Sequence, residues 1–459
     1  MFVSCQKPLI LGGGSRDIIK AIGSFTLNLK EVMLMKKFAG IFLLLALVAV
    51  TVSIGLQAKG PVEISFYLWD DPTYKNIVDT YNASQNEIFV NATYLPAGNY
   101  ETKIITLLAG GAKIDCYMQK RQVDMFPNYK NGFIEPLDKY ITKYKYDTES
   151  IKGYLPQVTI DGKIIAIPFR GASYYTYYNK KVFARANMPT PDYYIEKGEW
   201  TWDKFAEVAR KIATGDGKVY GAVMYTWPLC TTMPSQQHGD SFIDANGNLD
   251  LDREIFKYSL ELRRRLEKEK VIIPLMELKT TNTHYSKVFY DGNVGMLLIG
   301  EWFPGMMLKG SEEKLLQGFT WNDWGLARIP CNESEYTTIG TCTFNHVYSR
   351  SKNKEEAFKF LAWMGGPEGA EVVAKNGFLP AMDTAGVRKH LVTSLPDDKS
   401  LKYMLEPIPR ALGCYNKYGS QVEAVFNKVI EKYLVTEMTG DELIQQVESE
   451  FKQIVKTTD

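Results

Sequence analysis

Lys163-Ile164-Ile165-Ala166-Ile167-Pro168-Phe169-Arg170 runs through Gly171-Ala172-Ser173 into Tyr174-Tyr175-Thr176-Tyr177-Tyr178-Asn179-Lys180-Lys181. The stretch begins as a β-branched run, is stopped at Pro168, turns at Gly171 and becomes strand again. Proline cannot donate to a β-ladder, so it belongs at strand ends. Two strands broken by a Pro and a Gly suit a backbone that passes from one sheet to another. The competing reading is two adjacent strands of one ordinary α/β domain.

Upstream, Val62, Ile64, Phe66 and Leu68 alternate with Glu63, Ser65 and Tyr67, the period of a strand. It ends in Trp69-Asp70-Asp71-Pro72, and a helix follows with Tyr74, Ile77, Val78 and Tyr81 on one face. Phe89–Leu95 reads as the next strand. Tyr100, Ile104, Ile105 and Leu108 mark a second helix closed by Gly110-Gly111, and Ile114–Met118 a third strand. This βαβαβ order implies a parallel sheet. Ligands of such sheets bind beyond the carboxyl ends of the strands, which places Trp69, Asp70, Asp71 and Gln119-Lys120-Arg121 on the functional rim.

The chain has 459 residues, enough for two or three domains. Its 45% apolar and 23% charged content is that of a globular protein. Residues 1–58 hold six Lys/Arg and two acids, so without them the net charge falls from +1 to −3. That balance offers no basic surface for nucleic acid. Met35-Lys36-Lys37 followed by Ile41–Val50 has the charged and apolar regions of a signal peptide, residues 35–58, with Ala58 at the cut. An uncleaved anchor is the alternative, because Phe38–Leu56 is nearly long enough to span a bilayer. Lys30-Glu31-Val32 can be encoded by a ribosome-binding sequence. Met35 is therefore expected to be the true start, with residues 1–34 an untranslated extension.

Further motifs fall in a fixed order. Asn131-Gly132-Phe133-Ile134-Glu135-Pro136-Leu137-Asp138 is a turn; Trp200-Thr201-Trp202-Asp203-Lys204-Phe205 opens a helix. Thr201 is its N-cap, Trp202, Phe205, Val208, Ala209 and Ile212 its buried stripe, and Gly215 its end. Val288-Phe289-Tyr290-Asp291-Gly292-Asn293-Val294-Gly295-Met296 runs on through Leu297-Leu298-Ile299-Gly300-Glu301-Trp302. Trp324-Gly325-Leu326-Ala327-Arg328-Ile329-Pro330 comes next. Ser351–Met364 is a late helix, with Asn353 and Glu356 as a capping pair and Gly365-Gly366 as its stop. Asn376-Gly377-Phe378-Leu379-Pro380-Ala381 is a further segment broken by Gly and Pro.

In this order, over about residues 62–455, these segments resemble the bacterial extracellular solute-binding proteins of family 1, the maltose-binding-protein-like sugar receptors of ABC importers. Val294-Gly295 stands where the family usually has two alanines. The resemblance implies a periplasmic-binding-protein type II fold: α/β, with two lobes around a ligand cleft, joined by crossover hinge strands. One lobe would comprise residues 59–170 plus 331–381, the other 171–330 plus 382–459. It further implies an exported receptor, periplasmic or at the cell surface. As a monomer it would bind a sugar or oligosaccharide by lobe closure and deliver it to the transmembrane subunits of an ABC permease.

An aromatic beside paired acids at a strand's carboxyl end suits a sugar, whose flat C–H faces stack and whose hydroxyls bind carboxylates. Trp69, Asp70 and Asp71 are therefore candidate ligand-binding residues. The resemblance carries a stacking role to Trp302, next to Glu301. Tyr225 and Trp227 form a further aromatic pair, Arg121 and Arg170 are hydroxyl donors or surface ion pairs, and Arg410 and Tyr415 would complete the wall from the second lobe.

No catalytic residue, metal or cofactor is expected. Asp70 and Asp71 are adjacent on an extended segment, so their carboxyls diverge, whereas glycoside hydrolysis needs two that face each other. No G-x-S-x-G nucleophile elbow occurs, and His238, His284, His346 and His390 are scattered. Asp244–Asp250 has its glycine misplaced for a calcium loop and reads as a turn before a helix near Asp252. Arg263-Arg264-Arg265 reads as a solvated face. Cys331 and Cys342 flank a turn and could bridge in an oxidising compartment. A secreted glycosidase or lyase, and a receptor for a non-sugar such as a polyol phosphate or polyamine, remain as alternatives.

Overall fold

The structure, a computed structural model, describes residues 60–171, 173–244, 246, 248–340, 342–406, 409–410 and 417–458. The signal segment 35–58, the stretch before Met35, Cys5, Cys414 and Tyr415 lie outside the described residues.

The expected βαβαβ unit is present. Val62–Trp69 pairs in parallel with Ile88–Leu95 on one side and Cys116–Gln119 on the other. The helices Pro72–Ser84 and Tyr100–Ala109 connect them, burying Tyr74, Ile77, Val78 and Tyr81, and Tyr100, Ile104 and Leu108. Thr343–Val347 and then Ile167–Arg170 add antiparallel strands, completing a five-stranded sheet. Its core gathers Phe66, Leu68, Tyr117, Phe344, Phe358 and Phe360.

A second sheet has four strands in the order Trp324–Arg328, Tyr174–Asn179, Val294–Gly300 and Tyr220–Met224. Every residue of Tyr174–Asn179 and Val294–Gly300 is buried, which explains the unbroken apolar run of the second and the lack of polar alternation in the first. Around them pack Trp202, Phe205, Phe289, Phe303 and Trp324. The helix Trp202–Ile212 is capped as expected, with Thr201 accepting from the Lys204 amide at 3.2 Å. A third cluster joins the Phe242–Ile243/Leu249–Asp250 hairpin to the helices Arg253–Lys268, Gly419–Val435 and Gly440–Thr458 through Phe256, Phe426, Tyr433 and Phe451. The chain thus forms two sheet-containing lobes with a helical C-terminal element.

The backbone passes between the sheets where the sequence suggested. Ile167–Arg170 closes the first sheet and Tyr174 opens the second. The Gly171 amide donates to the Leu379 carbonyl at 3.0 Å, and the Ala381 amide to Phe169 at 3.2 Å, so the two crossovers lie side by side. A bridge between Ser173 and Gly340 adds a third strand of backbone. Gly377, at φ +81, is required here: a Cβ would come within 2.8 Å of the Gly305 Cα.

Five local expectations are corrected. The strand is not stopped at Pro168 but runs through it, which the ladder permits because Ile167–Arg170 is the sheet edge and slips register at Thr343/Phe344. The helix after Thr201 stops at Ile212, Ala213 being already extended, and Gly215 serves the following turn at φ +73. Asn353 is at the N-cap of Lys354–Met364 but makes no side-chain cap bond; its amide reaches Glu63 O and Asp115 Oδ1, both at 3.4 Å. Cys331 is a free thiol near Thr337, so no bridge joins it to Cys342. Arg263 is not on a solvated face. Its side chain is fully buried, and only Arg265 of the three is exposed.

Among the described residues no helix is long and apolar enough to cross a membrane. No group of three or more His, Cys, Asp or Glu side chains there is placed to hold a metal ion. Asp244–Asp250 is a hairpin turn in which Asp244 accepts from the Asn246 and Asn248 amides, and Asp252 caps the helix after it.

Candidate ligand-binding site

Parallel pairing puts the carboxyl ends of Val62–Trp69 and Cys116–Gln119 on one rim. There Trp69 is only 6% exposed. Its ring meets Tyr74 and Tyr100 edge-on, with centroids at 5.2 and 5.5 Å. Two cations lie over it, the Lys120 Nζ at 4.8 Å from the ring centroid and the Arg170 Cζ at 6.0 Å. The paired acids part company. Asp71 accepts from the Thr73 amide at 3.0 Å and the Thr73 hydroxyl at 2.6 Å as cap of Pro72–Ser84, while Asp70 is exposed. Arg121 is drawn away into ion pairs with Asp124 and, from the C-terminal element, Glu423, each at 3.1 Å.

The opposite wall follows the second sheet's strands. Trp302 comes two residues after Val294–Gly300 and folds back over the strand end. A Cβ on Gly300 would lie 2.1 Å from its ring, so glycine is needed there. The Trp302 Nε1 donates to the Tyr285 hydroxyl at 2.8 Å, and the ring meets Tyr174 and Trp227 at 5.8 and 5.9 Å. Tyr225 and Trp227 follow Tyr220–Met224 and pack on each other at 5.1 Å and on Tyr285 at 4.9 and 6.0 Å. Tyr225, Trp227 and Trp302 are half-buried, leaving aromatic surface for a ligand.

Arg263 holds that wall in place. Its guanidinium pairs with Glu267 at 2.7 Å and donates to the Met224 and Tyr225 carbonyls and the Thr231 hydroxyl at 2.9, 3.1 and 2.9 Å.

Arg170 and Glu301 join the two walls at the crossover. The Arg170 Cζ lies 6.0 Å from the Trp69 ring and 5.9 Å from that of Trp302, with Tyr74 and Phe378 at 5.8 and 4.5 Å. Its Nε is 3.1 Å from Glu301 Oε1, yet the N–H is not aligned on that oxygen. The other Glu301 oxygen accepts from the Leu379 amide at 3.0 Å. The Tyr74 hydroxyl, also buried, makes no aligned hydrogen bond. Burial pushes the Glu301 carboxyl up to about 7, against the opposing pull of Arg170 and the Leu379 N–H.

The sign of the resulting pH dependence follows. A glutamate raised above its unfolded value keeps its proton in the folded state where the unfolded chain loses it. The associated stability is complete below the unfolded value and is lost as pH rises through about 7. We expect the wild-type protein to lose more thermal stability between pH 5 and pH 8 than Glu301→Gln loses. Equal slopes in calorimetry would assign the titration to other groups.

The structure thus brings together Trp69, Arg170, Tyr225, Trp227, Glu301 and Trp302, and commits Asp71 and Arg121 elsewhere. Arg410 contributes backbone to a short parallel pair with Ile339; its side chain and Tyr415 are outside the described residues. Lys120 was placed on the rim by the sequence but not among the candidate ligand-binding residues, and Tyr285, Phe378 and Arg263 were not candidates at all. Only Lys120 carried a signal, its place at the end of the third strand.

Residues 70–329 match the family model described as bacterial extracellular solute-binding protein. The chain belongs to that family, whose members are receptors rather than enzymes. A sugar transporter from Rhizobium etli, solved in an open conformation, is 30% identical, with a TM-score of 0.71 over 85% of this chain and 99% of that one. The Listeria monocytogenes substrate-binding protein in complex with cycloalternan is 21% identical, with a TM-score of 0.72, covering 87% and 99%. The arabinooligosaccharide-binding protein of Bacillus subtilis is 23% identical over 358 residues, 73% of this chain and 77% of the relative.

Proposed function

We propose that this chain is the extracytoplasmic receptor of an ABC importer, that it binds a sugar or oligosaccharide between its lobes, and that it passes the ligand unchanged to a membrane permease. The observation that carries this is the meeting of two aromatic walls at the crossover, where Arg170 lies within about 6 Å of Trp69 from one sheet and Trp302 from the other. Half-buried rings with a few polar groups among them provide both burial and orientation. The relatives that bind arabinooligosaccharides and cycloalternan support a carbohydrate ligand.

Lobe closure follows as a population shift. Contacts from both walls exist together only in the closed form, so ligand favours that form and the permease can recognise it. In this reading the protein is exported by residues 35–58 and acts as a monomer, periplasmic or at the cell surface. The lobe borders are taken at 170, near 340 and near 381. The middle one moves from 331 because Ile339 packs in the second core and Cys342 in the first. The ligand set is Trp302, Trp227, Tyr225, Arg170 and Glu301, with Trp69 as the floor beneath.

An enzyme would need two carboxyls facing across a bond, whereas Asp71 is a helix cap and Glu301 is paired with Arg170. Tryptophan fluorescence across a glycan panel, with chromatography of the recovered sugar, tests the reading. Saturable one-to-one binding with intact sugar is expected. Shortened or unsaturated products would establish a glycosidase or lyase instead.

A further inference from the structure

Neutral sugars are held by acceptors and donors in rough balance, and the Trp69 end of the cleft is out of balance toward donors. Lys120 is half-buried and its Nζ donates to the Ala97 carbonyl at 2.8 Å; among the described residues it forms no ion pair. The acids nearby are committed. Asp71 caps a helix, Glu101 accepts the Lys120 backbone N–H at 3.1 Å, and Glu301 gives one oxygen to Leu379 and holds the other 3.1 Å from the Arg170 Nε. Arg170 is 7% exposed with an unaligned Nε, and the neighbouring Tyr74 hydroxyl, fully buried, lacks an aligned partner. Two cations and a phenol therefore converge on one ring, and of the two cations Lys120 is the one without a carboxylate partner among the described residues.

We propose that this end of the cleft takes the carboxylate of an acidic sugar, so that the ligand is a uronate-bearing oligosaccharide. The inference rests on the carbohydrate-receptor reading and deepens it. Arg170 offers a planar fork suited to a carboxylate, Lys120 a point charge, and Tyr74 a neutral donor. Trp302, Trp227 and Tyr225 are left to stack on the sugar faces, with the carboxylate directed along the ring plane toward the cations. Burial holds the Lys120 ammonium down at about 8, and an incoming anion reverses that penalty.

The test is calorimetric titration of the chain with di- and trisaccharides of galacturonate, glucuronate and mannuronate, each beside its neutral parent and a hexose 6-phosphate. At least one uronate should bind tenfold or more tighter than its parent, with an affinity that falls as salt is raised. Lys120→Gln should lower the uronate-to-neutral ratio by about tenfold, and circular dichroism checks its fold. Equal or tighter binding of the neutral parents overturns the proposal and leaves the receptor reading standing. So does a Lys120→Gln variant that keeps the wild-type ratio. Tighter binding of the hexose phosphate overturns the carboxylate as the recognised anion. Binding of no carbohydrate in the panel overturns both readings.

Discussion

Trp302→Ala lowers carbohydrate affinity about 30- to 150-fold, roughly 2–3 kcal/mol, the scale of a central aromatic anchor. It leaves the unfolding temperature of the ligand-free protein within a few degrees of wild type. The indole is half-buried, and its polar contact is a single hydrogen bond to the Tyr285 hydroxyl. Trp69→Ala behaves in the opposite way. That ring is 6% exposed and packs on Tyr74 and Tyr100, so its removal opens a cavity costing about 3–5 kcal/mol. Calorimetry and ligand titration on the two variants separate the roles. Wild-type affinity in Trp302→Ala would take that residue out of the site.

Arg263→Met is expected to destabilise the protein by about 3–5 kcal/mol, because it breaks a buried ion pair and leaves Glu267 without its cation. The Met224 and Tyr225 carbonyls and the Thr231 hydroxyl lose their donor as well. Ligand affinity falls with stability, since the same carbonyls fix the loop that carries Tyr225 and Trp227. Arg263→Lys should recover little, because an ammonium cannot reproduce the fork that reaches four partners. Near-wild-type stability of Arg263→Lys would show that charge alone matters there.

The elements legible in the sequence were those whose period and punctuation agree. The alternation in Val62–Leu68 and the Thr201 cap each had one reading that local chemistry and tertiary packing share, whereas the Pro/Gly-broken stretch at 163–174 had two and its strand ran on through Pro168. Arg263 was illegible for a definite reason. In a run of three arginines flanked by glutamates, helical position alone does not say which guanidinium turns inward, and the buried one is satisfied by Glu267, the Thr231 hydroxyl and the carbonyls of Met224 and Tyr225 at the end of a strand of the second sheet. Asp71 misled in a related way. A carboxylate at a strand's end and at a helix's start has two uses, and the cap prevailed, bonding both the amide and the hydroxyl of Thr73. Asn353 kept its predicted position but turned its side chain to Glu63 and Asp115, long-range partners that spacing does not reveal.

A crystal structure of the chain with its tightest-binding oligosaccharide would show where the sugar lies and which lobes hold it. An intact sugar ring is expected on Trp302, touched at once by residues of both sheets, with the lobes drawn together around it. A sugar bound by one lobe alone, or lying away from the Trp302–Arg170 region, would contradict that expectation.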